Sequence, residues 1–313
     1  LSTFRHKGKT TDLNISIKQL RAFMALYEQR NFTRAAASVF LSQPAFSALI
    51  NGLETEVGFR LFDRDTRSVR LTPDGEAFFQ IALRHIRFHN DSSKEIKAIS
   101  RGETGRVCIA ALPSVAVSWL PAVLPDFRQR YPHVRVELID APSDRCIQVL
   151  NDNIADFALT AFQPNNEELK SEKLCIEQFH LVCHKDHPLA RHASVKPEQL
   201  HDHLMLNFSH LTSIRQHLDQ ALPPQARYDT MEVEQLTTMM GLIAAGLGVS
   251  IIPELALYQF RHPDLAIRPL DGLNVFREIH LIRRTDRTLS LAAENLCAAV
   301  VDYARAAFGT KSN

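Results

Sequence analysis

Apolar residues recur every three or four positions in residues 17–30, at Ile17, Leu20, Phe23, Met24 and Tyr27. That is the period of an amphipathic helix. Asn31 and Phe32 interrupt it, and Thr33 is placed to cap a short second helix over residues 34–40. Ala35, Ala36 and Ala37 keep that helix thin, so a third can cross it closely. After a turn at Leu41, Ser42 is a natural N-cap, and Pro44 falls in the first turn, where its missing N–H is no loss. Phe46, Ile50, Leu53 and Val57, spaced 4, 3, 4, form the inward stripe of this third helix, which ends at Gly58. Gln43, Ser47, Ala48 and Asn51 then face out. Strand-like Ser68-Val69-Arg70-Leu71 follows, within a basic ribbon of Arg60, Arg64, Arg67 and Arg70.

A fourth helix starts at Thr72, with Pro73 in its first turn and Asp74 and Glu76 at its positive end. It runs to about residue 100, before Gly102 and Gly105, and at ~1.5 Å per residue is about 40 Å long. Phe78, Ile81, His85, Phe88, Ser92, Ile96 and Ile99 line one face. A helix this long between two domains needs a surface for that stripe. An antiparallel helix from a second subunit would supply it; packing on its own body is the alternative. His85 and His89 are seam or surface residues, or a pH switch.

From Arg106 the pattern alternates between strands and helices. Residues 107–112 read as a buried strand, and Pro113 and Ser114 open a helix to about residue 131. Strands follow at 134–139, 157–160, 179–183, 204–207, 249–252 and 279–282, with helices at 144–151 and 229–246. This is a βαβ α/β body.

Composition adds one distinction. The 313 residues are 45% hydrophobic and 23% charged, ordinary for a soluble protein of two or three domains. The net charge of +1 is uneven, however. Residues 1–70 hold 11 Lys/Arg and 6 Asp/Glu, a balance of +5, which leaves −4 for the rest. A basic head on an acidic body points to an electrostatic task for the head. No run of 18 apolar residues suggests a membrane span, and residues 1–16 read as a disordered arm without the apolar core of a secretory signal. Five cysteines with no C-x-x-C pair point to reduced thiols in the cytoplasm.

Helix, short helix, turn, helix and basic ribbon make a winged helix-turn-helix over residues 17–72, or else a three-helix bundle with a solvated hairpin. The run from Phe32 to Gly75 closely resembles the DNA-binding domain of LysR-type transcriptional regulators. Alanine pairs, L-S-Q-P-A, L-E-x-E-x-G, L-F-x-R and R-L-T-x-x-G occur in that family's order and spacing. The resemblance implies that Gln43, Pro44 and Ser47 lie in the major groove, that Arg34 and Arg64 hold phosphates, and that Arg67 reaches the minor groove. The candidate DNA-contacting set is Thr33, Arg34, Ser42, Gln43, Pro44, Ser47, Asn51, Arg64 and Arg67. It also implies a dimerising linker helix and hinge over 73–104, a dimer or tetramer, and an interrupted inverted repeat as target. This chain departs from many relatives in having no Lys or Arg from Ser42 to Gly58. A bidentate arginine–guanine contact from that helix is excluded, so A/T-rich half-sites are expected. Gly52, inside the same helix, costs about 1 kcal/mol relative to alanine.

The body, residues 105–313, resembles the family's effector-binding domain, a two-lobed fold like periplasmic binding proteins. The matching residues are Ala111-Leu112-Pro113-Ser114, Tyr131-Pro132, Asp156-Phe157-Ala158-Leu159, Asp186-His187-Pro188-Leu189-Ala190 and Ala245-Gly246-Leu247-Gly248-Val249…Ile252-Pro253. Lobe I would take about 105–161 and 270–313, and lobe II about 162–269. Serine at a helix N-terminus after a strand suits an anion. The candidate effector-binding set is Pro113, Ser114, Thr160, Phe208, Ser209, His210 and Gly248. For Ser114 the alternative is a plain helix cap, and for Phe208 core packing. A small carboxylate or other anion is the expected effector, although no Lys or Arg adjoins these positions.

Eight of the 14 histidines fall between His180 and His217, yet no H-E-x-x-H or C-x-x-C motif accompanies them, so no metal is expected. Neither G-x-S-x-G nor a P-loop is present, and no catalytic residue or cofactor is expected. A thiol-redox regulator and a regulator without an effector remain alternatives. The expected protein is thus an α/β multidomain, cytoplasmic transcription regulator. Its partners are double-stranded DNA, a small-molecule effector and a second copy of itself, with RNA polymerase a further candidate and no membrane.

Overall fold

The computed structural model describes residues 13–64, 69–161, 167–210, 212–222 and 230–308. The chain divides into two units, one ending at Lys97 and the other beginning at Ala98.

The first unit contains α1 (Ile17–Gln29), α2 (Phe32–Ser38), α3 (Gln43–Val57), β1 (Phe62–Arg64), β2 (Val69–Leu71) and most of α4 (Pro73–Ile99). Ser16 caps α1, its hydroxyl accepting the Gln19 N–H while Gln19 Oε1 accepts the Ser16 N–H at 2.8 Å. The second helix begins earlier than the sequence suggests. Asn31, in extended backbone, accepts the Arg34 N–H at 3.0 Å and is the cap; Thr33 is already helical. That helix ends at Ser38, because Phe40 takes a left-handed φ of 58°, which no helix interior accommodates. Ser42 caps α3 and Gly58 ends it at φ 81°. Phe23, Phe46, Ile50, Leu53 and Leu61 are fully buried at the centre of this unit. Thr72 Oγ1 accepts the Gly75 N–H at 2.9 Å and caps α4. β1 and β2 pair antiparallel as the wing; its tip, including Arg67, lies outside the described residues.

The second unit contains β3 (Thr104–Ala111), α5 (Pro113–Ser118), α6 (Leu120–Arg130), β4 (His133–Asp140), α7 (Ser143–Asn151), β5 (Phe157–Thr160) and β6 (Leu169–His184). It continues with β7 (Met205–Phe208), α8 (Ser213–Ala221), β8 (Thr230–Val233), α9 (Leu236–Ala244) and β9 (Ser250–Pro253). β10 (Leu265–Pro269), β11 (Phe276–Arg284) and α10 (Leu291–Phe308) complete it.

Three expectations change. The helix expected from Pro113 to about residue 131 is two, broken at Trp119, since Pro121 lacks the N–H needed to continue α5 and instead sits in the first turn of α6. The helix expected at 229–246 shrinks to α9, because the stretch before it becomes β8 and pairs in parallel with β7. The short strand expected at 179–183 is the second half of β6, a 16-residue strand that serves both lobes.

In lobe I the strand order is β4-β3-β5-β11-β6, with β3 parallel to β4 and β5, and β11 antiparallel to β5 and β6. Ile109, Trp119, Phe157, Leu281 and Leu296 pack one face of that sheet, and Cys108, Ala110, Cys146 and Leu150 the other. In lobe II, β10 and β9 flank the far half of β6, and Met205, Phe208, Met239 and Ile251 join its core. The boundary differs from the expected 162–269. Leu169 and Cys175 pack into the cores of lobe I, whereas Leu270, Leu273 and Val275 pack with lobe II. One strand shared by two sheets cannot belong to a single lobe.

Candidate functional sites

In the first unit, the outer face of α3 is tied to both of its flanks. Thr33 Oγ1 donates to Gln43 Oε1 at 3.3 Å. Arg64 Nη2 donates to Asn51 Oδ1 at 2.9 Å and to Glu54 Oε2 at 2.6 Å, and its guanidinium lies 5.2 Å from the centre of the Phe32 ring. Glu54 Oε1 accepts the N–H groups of Leu61 and Phe62, so one carboxylate anchors both the wing and its arginine. Arg34 Nη2 donates to the Gln29 carbonyl at 3.2 Å. Thr33, Arg34, Ser42, Gln43, Pro44, Asn51 and Arg64 are exposed, and Ser47 is half-buried. Neutral hydrogen-bonding groups in the middle, flanked by guanidinium groups, are what base edges and phosphates require.

In the second unit, the carboxyl ends of β3, β4 and β5 are level. The Ala141 N–H donates to the Ala111 carbonyl and the Leu112 N–H to the Leu159 carbonyl. Pro113 and Ser114, Ser143 and Thr160 therefore stand side by side at one edge of lobe I. Ser114, Ser143 and Thr160 are all buried. α7 starts after Pro142 with no side-chain cap, and the Ser143 hydroxyl beside it is buried without a partner. Uncapped N–H groups and an unused hydroxyl thus occur together at the start of α7, a donor-rich place for an acceptor.

The expectation that no cation adjoins the cleft is corrected here. Arg277, at the start of β11, donates to Ser114 Oγ at 3.0 Å and to Ser213 Oγ at 3.1 Å. Glu177 of β6 faces it, with Oε1 2.6 Å from Nε. Arg277 lies some 160 residues from Ser114 in sequence, and the pairing of β11 with β5 and β6 brings it in. Ser143 was legible in principle, since it repeats the strand-then-serine arrangement that singles out Ser114.

The other expected cleft residues belong to lobe II. Phe208 is buried in the core of lobe II. The Ser209 carbonyl accepts from the Thr212 N–H and hydroxyl, forming the turn into α8. His210 stands between Asp219 and Glu232, at 3.4 and 3.0 Å. Gly248 lets β7 approach, because a Cβ there would lie 2.5 Å from the Leu204 carbonyl oxygen. Its reason is backbone packing.

Behind Thr160, its cross-strand partner His280 places Nδ1 3.0 Å from Ser171 Oγ and Nε2 3.2 Å from Glu278 Oε2. Burial lowers its pKa, outweighing the upward pull of Glu278. None of the five cysteines is in a disulfide, and all are buried. Burial raises the thiol pKa of Cys108, Cys183 and Cys297, and that of Cys146 to about 12. Among the described residues no three His, Cys, Asp or Glu side chains group as a metal site, and no helix is long and apolar enough to cross a membrane.

Residues 17–76 match the bacterial regulatory helix-turn-helix family of lysR type, and residues 100–305 match the LysR substrate binding domain. The chain is 30% identical over 299 residues to the HTH-type transcriptional regulator YfeR of Shigella flexneri, covering 94% of this chain and 96% of that one. It is 29% identical over 288 residues to YbhD of Escherichia coli (strain K12), covering 91% of each. Among solved structures, full-length CbnR in complex with its target DNA superposes with a TM-score of 0.73 at 24% identity, over 92% of this chain and 99% of that one. Two family domains in this order, over nearly the whole chain, place it among the LysR-type transcriptional regulators, with an N-terminal helix-turn-helix and a C-terminal effector-binding domain.

Proposed function

We propose that this regulator binds an interrupted inverted repeat with A/T-rich half-sites. Gln43, Pro44, Ser47 and Asn51 would face the bases, with Thr33 and Ser42 beside them and Arg34, Arg64 and Arg67 on the backbone. A small oxygen-rich effector, a carboxylate or other singly charged anion, seats against Ser114, Ser143 and Thr160. The observation that carries the effector reading is the partnerless buried hydroxyl of Ser143 at the uncapped start of α7, beside Ser114. Each ligand oxygen accepted there satisfies a donor already stripped of water. The protein acts as a homodimer or homotetramer on cytoplasmic DNA, with RNA polymerase as a further partner, and not as an enzyme. Exposed Ile81, Phe88, Ile96 and Ile99 on α4 support self-association, and an apolar groove of about 450 Å³ between Leu20, Phe59, Phe78 and Ile81 adjoins them.

The test is a thermal-shift screen of organic acids and polyols on the full chain, since a ligand specific to the folded state raises its midpoint. Hits are expected among hydroxy and keto acids, with the shift lost in Ser143→Ala. Hits confined to cationic compounds, or shifts unchanged in Ser143→Ala, would refute the effector reading. Selection of bound duplexes from a random pool tests the DNA reading, which a strict G/C core in each half-site would sink.

A further inference from the structure

Arg277 and Glu177 are direct cross-strand neighbours on β11 and β6, where β6 passes from lobe I to lobe II. Their side chains are 1% and 2% exposed. Glu177 Oε1 lies 2.6 Å from Nε and 2.5 Å from Nη2 of Arg277, and its Oε2 accepts the Leu255 N–H at 2.8 Å. Nη2 also reaches Ser114 of lobe I and Nη1 reaches Ser213 of α8, so four of the five guanidinium donors are engaged. Among the described residues Arg277 is the one buried Lys or Arg, and its counter-charge is built in. Each serine accepts from the guanidinium, which leaves its own hydroxyl proton to donate. A cation behind a hydroxyl polarises it and strengthens that donation.

We propose that Glu177 is an internal counter-ion that withholds Arg277 from direct pairing, so that the cleft reads its ligand through the Arg277-polarised hydroxyls of Ser114 and Ser213. The ligand class is then a neutral or singly charged compound with oxygen acceptors, and doubly charged anions are rejected. A free buried arginine would take a dianion on its forked face. With Glu177 in place, a dianion adds uncompensated negative charge to a dry site. The inference rests on the effector reading of the cleft. The two fail separately, because sulfate uptake probes the ion pair alone and the organic-acid screen probes Ser143.

The experiment is thermal unfolding of the full chain in millimolar sodium sulfate against sodium chloride at equal ionic strength, a range in which general salt exclusion is small. The wild type is expected to show no saturable sulfate-specific rise. Glu177→Gln, which keeps an acceptor for the Leu255 N–H, is expected to gain one, and Glu177→Gln/Arg277→Gln to lose it again. A wild-type rise that Arg277→Gln removes, or a folded Glu177→Gln protein with no rise, overturns the proposal. Should Glu177→Gln fail to fold, amide hydrogen exchange on the wild type decides. The Leu255 amide keeps its protection in sulfate if Glu177 stays in place, and loses it if the dianion displaces the carboxylate.

Discussion

Glu54 holds Arg64 at 2.6 Å and, through its other oxygen, the backbone N–H groups of Leu61 and Phe62 where the wing begins. The pair fixes the guanidinium beside the outer face of α3. Arg64→Ala is expected to weaken binding to any duplex and to lower the slope of log K against log salt by about 1. Glu54→Gln separates two explanations. By net charge alone, removing a carboxylate near DNA would tighten binding; if the carboxylate positions the wing, binding weakens. Fluorescence anisotropy across a salt series is expected to show weaker binding.

Two glycines of the first unit should respond in opposite ways to alanine. A Cβ at Gly52 of α3 would lie 3.4 Å from Gln19 Nε2, an ordinary contact. Gly52→Ala should then recover up to about 1 kcal/mol of helix propensity. A Cβ at Gly75 would collide with the Leu61 carbonyl, so Gly75→Ala should destabilise and shift α4 against the wing. Denaturant melts of the two variants give the sign directly, and a destabilised Gly52→Ala protein would contradict the first half.

Phe88 is 74% exposed on α4, with Ile81, Ile96 and Ile99 along the same helix. A stripe of that kind is covered in an assembly. Phe88→Glu places a charge in the seam, and sedimentation velocity is expected to show a shift toward monomer at micromolar concentration. An unchanged assembly would move the interface elsewhere.

Burial lowers the pKa of His280 from its ordinary 6.5 and, with His203 and His184 nearby, that of His187 as well. A group with a depressed pKa in the fold takes its proton first in the unfolded chain. Stability is therefore full above about 6.5 and falls as pH drops toward the folded values. Melting midpoints between pH 7.5 and 5 should decline, and His280→Gln should flatten part of that decline. A midpoint that rises on acidification would reverse the sign.

The thiols should be inert. All five cysteines are buried, and burial pushes the thiols of Cys108, Cys146, Cys183 and Cys297 upward, so those four hold little thiolate near neutral pH. Peroxide or iodoacetamide applied to the native protein is expected to leave DNA affinity unchanged and cysteines unmodified by mass spectrometry.

The first unit was largely legible from sequence, because its contacts are local. The Ser42 cap, the Gly58 stop, the Thr72 cap and the Phe46–Ile50–Leu53 stripe each depend on residues within a few positions of one another. The errors there are equally local, since Asn31 and Thr33 compete for one cap. Lobe I strands were legible for the same reason, and β5 was placed to the residue. The carboxyl end of the lobe I sheet was half legible. Thr160 ends a strand and Ser114 opens the helix after one. Arg277 and Glu177 carry no such mark, because each is one of several charges on its strand and reads as solvated until the 100-residue return of β11 onto β6 buries it. Phe208 and Gly248 stand near strand ends as well, and both are packed against their neighbours.

The 16 residues of β6 give the effector domain a shared beam. Two bodies hung on one continuous strand cannot slide past each other or part freely. Turning one lobe against the other would have to twist or bend that strand, which carries one residue more than β11 at Leu174, between the Ile279–Cys175 and His280–Lys173 pairs. Any rotation between the lobes would be a torque borne by the ladder hydrogen bonds of one strand.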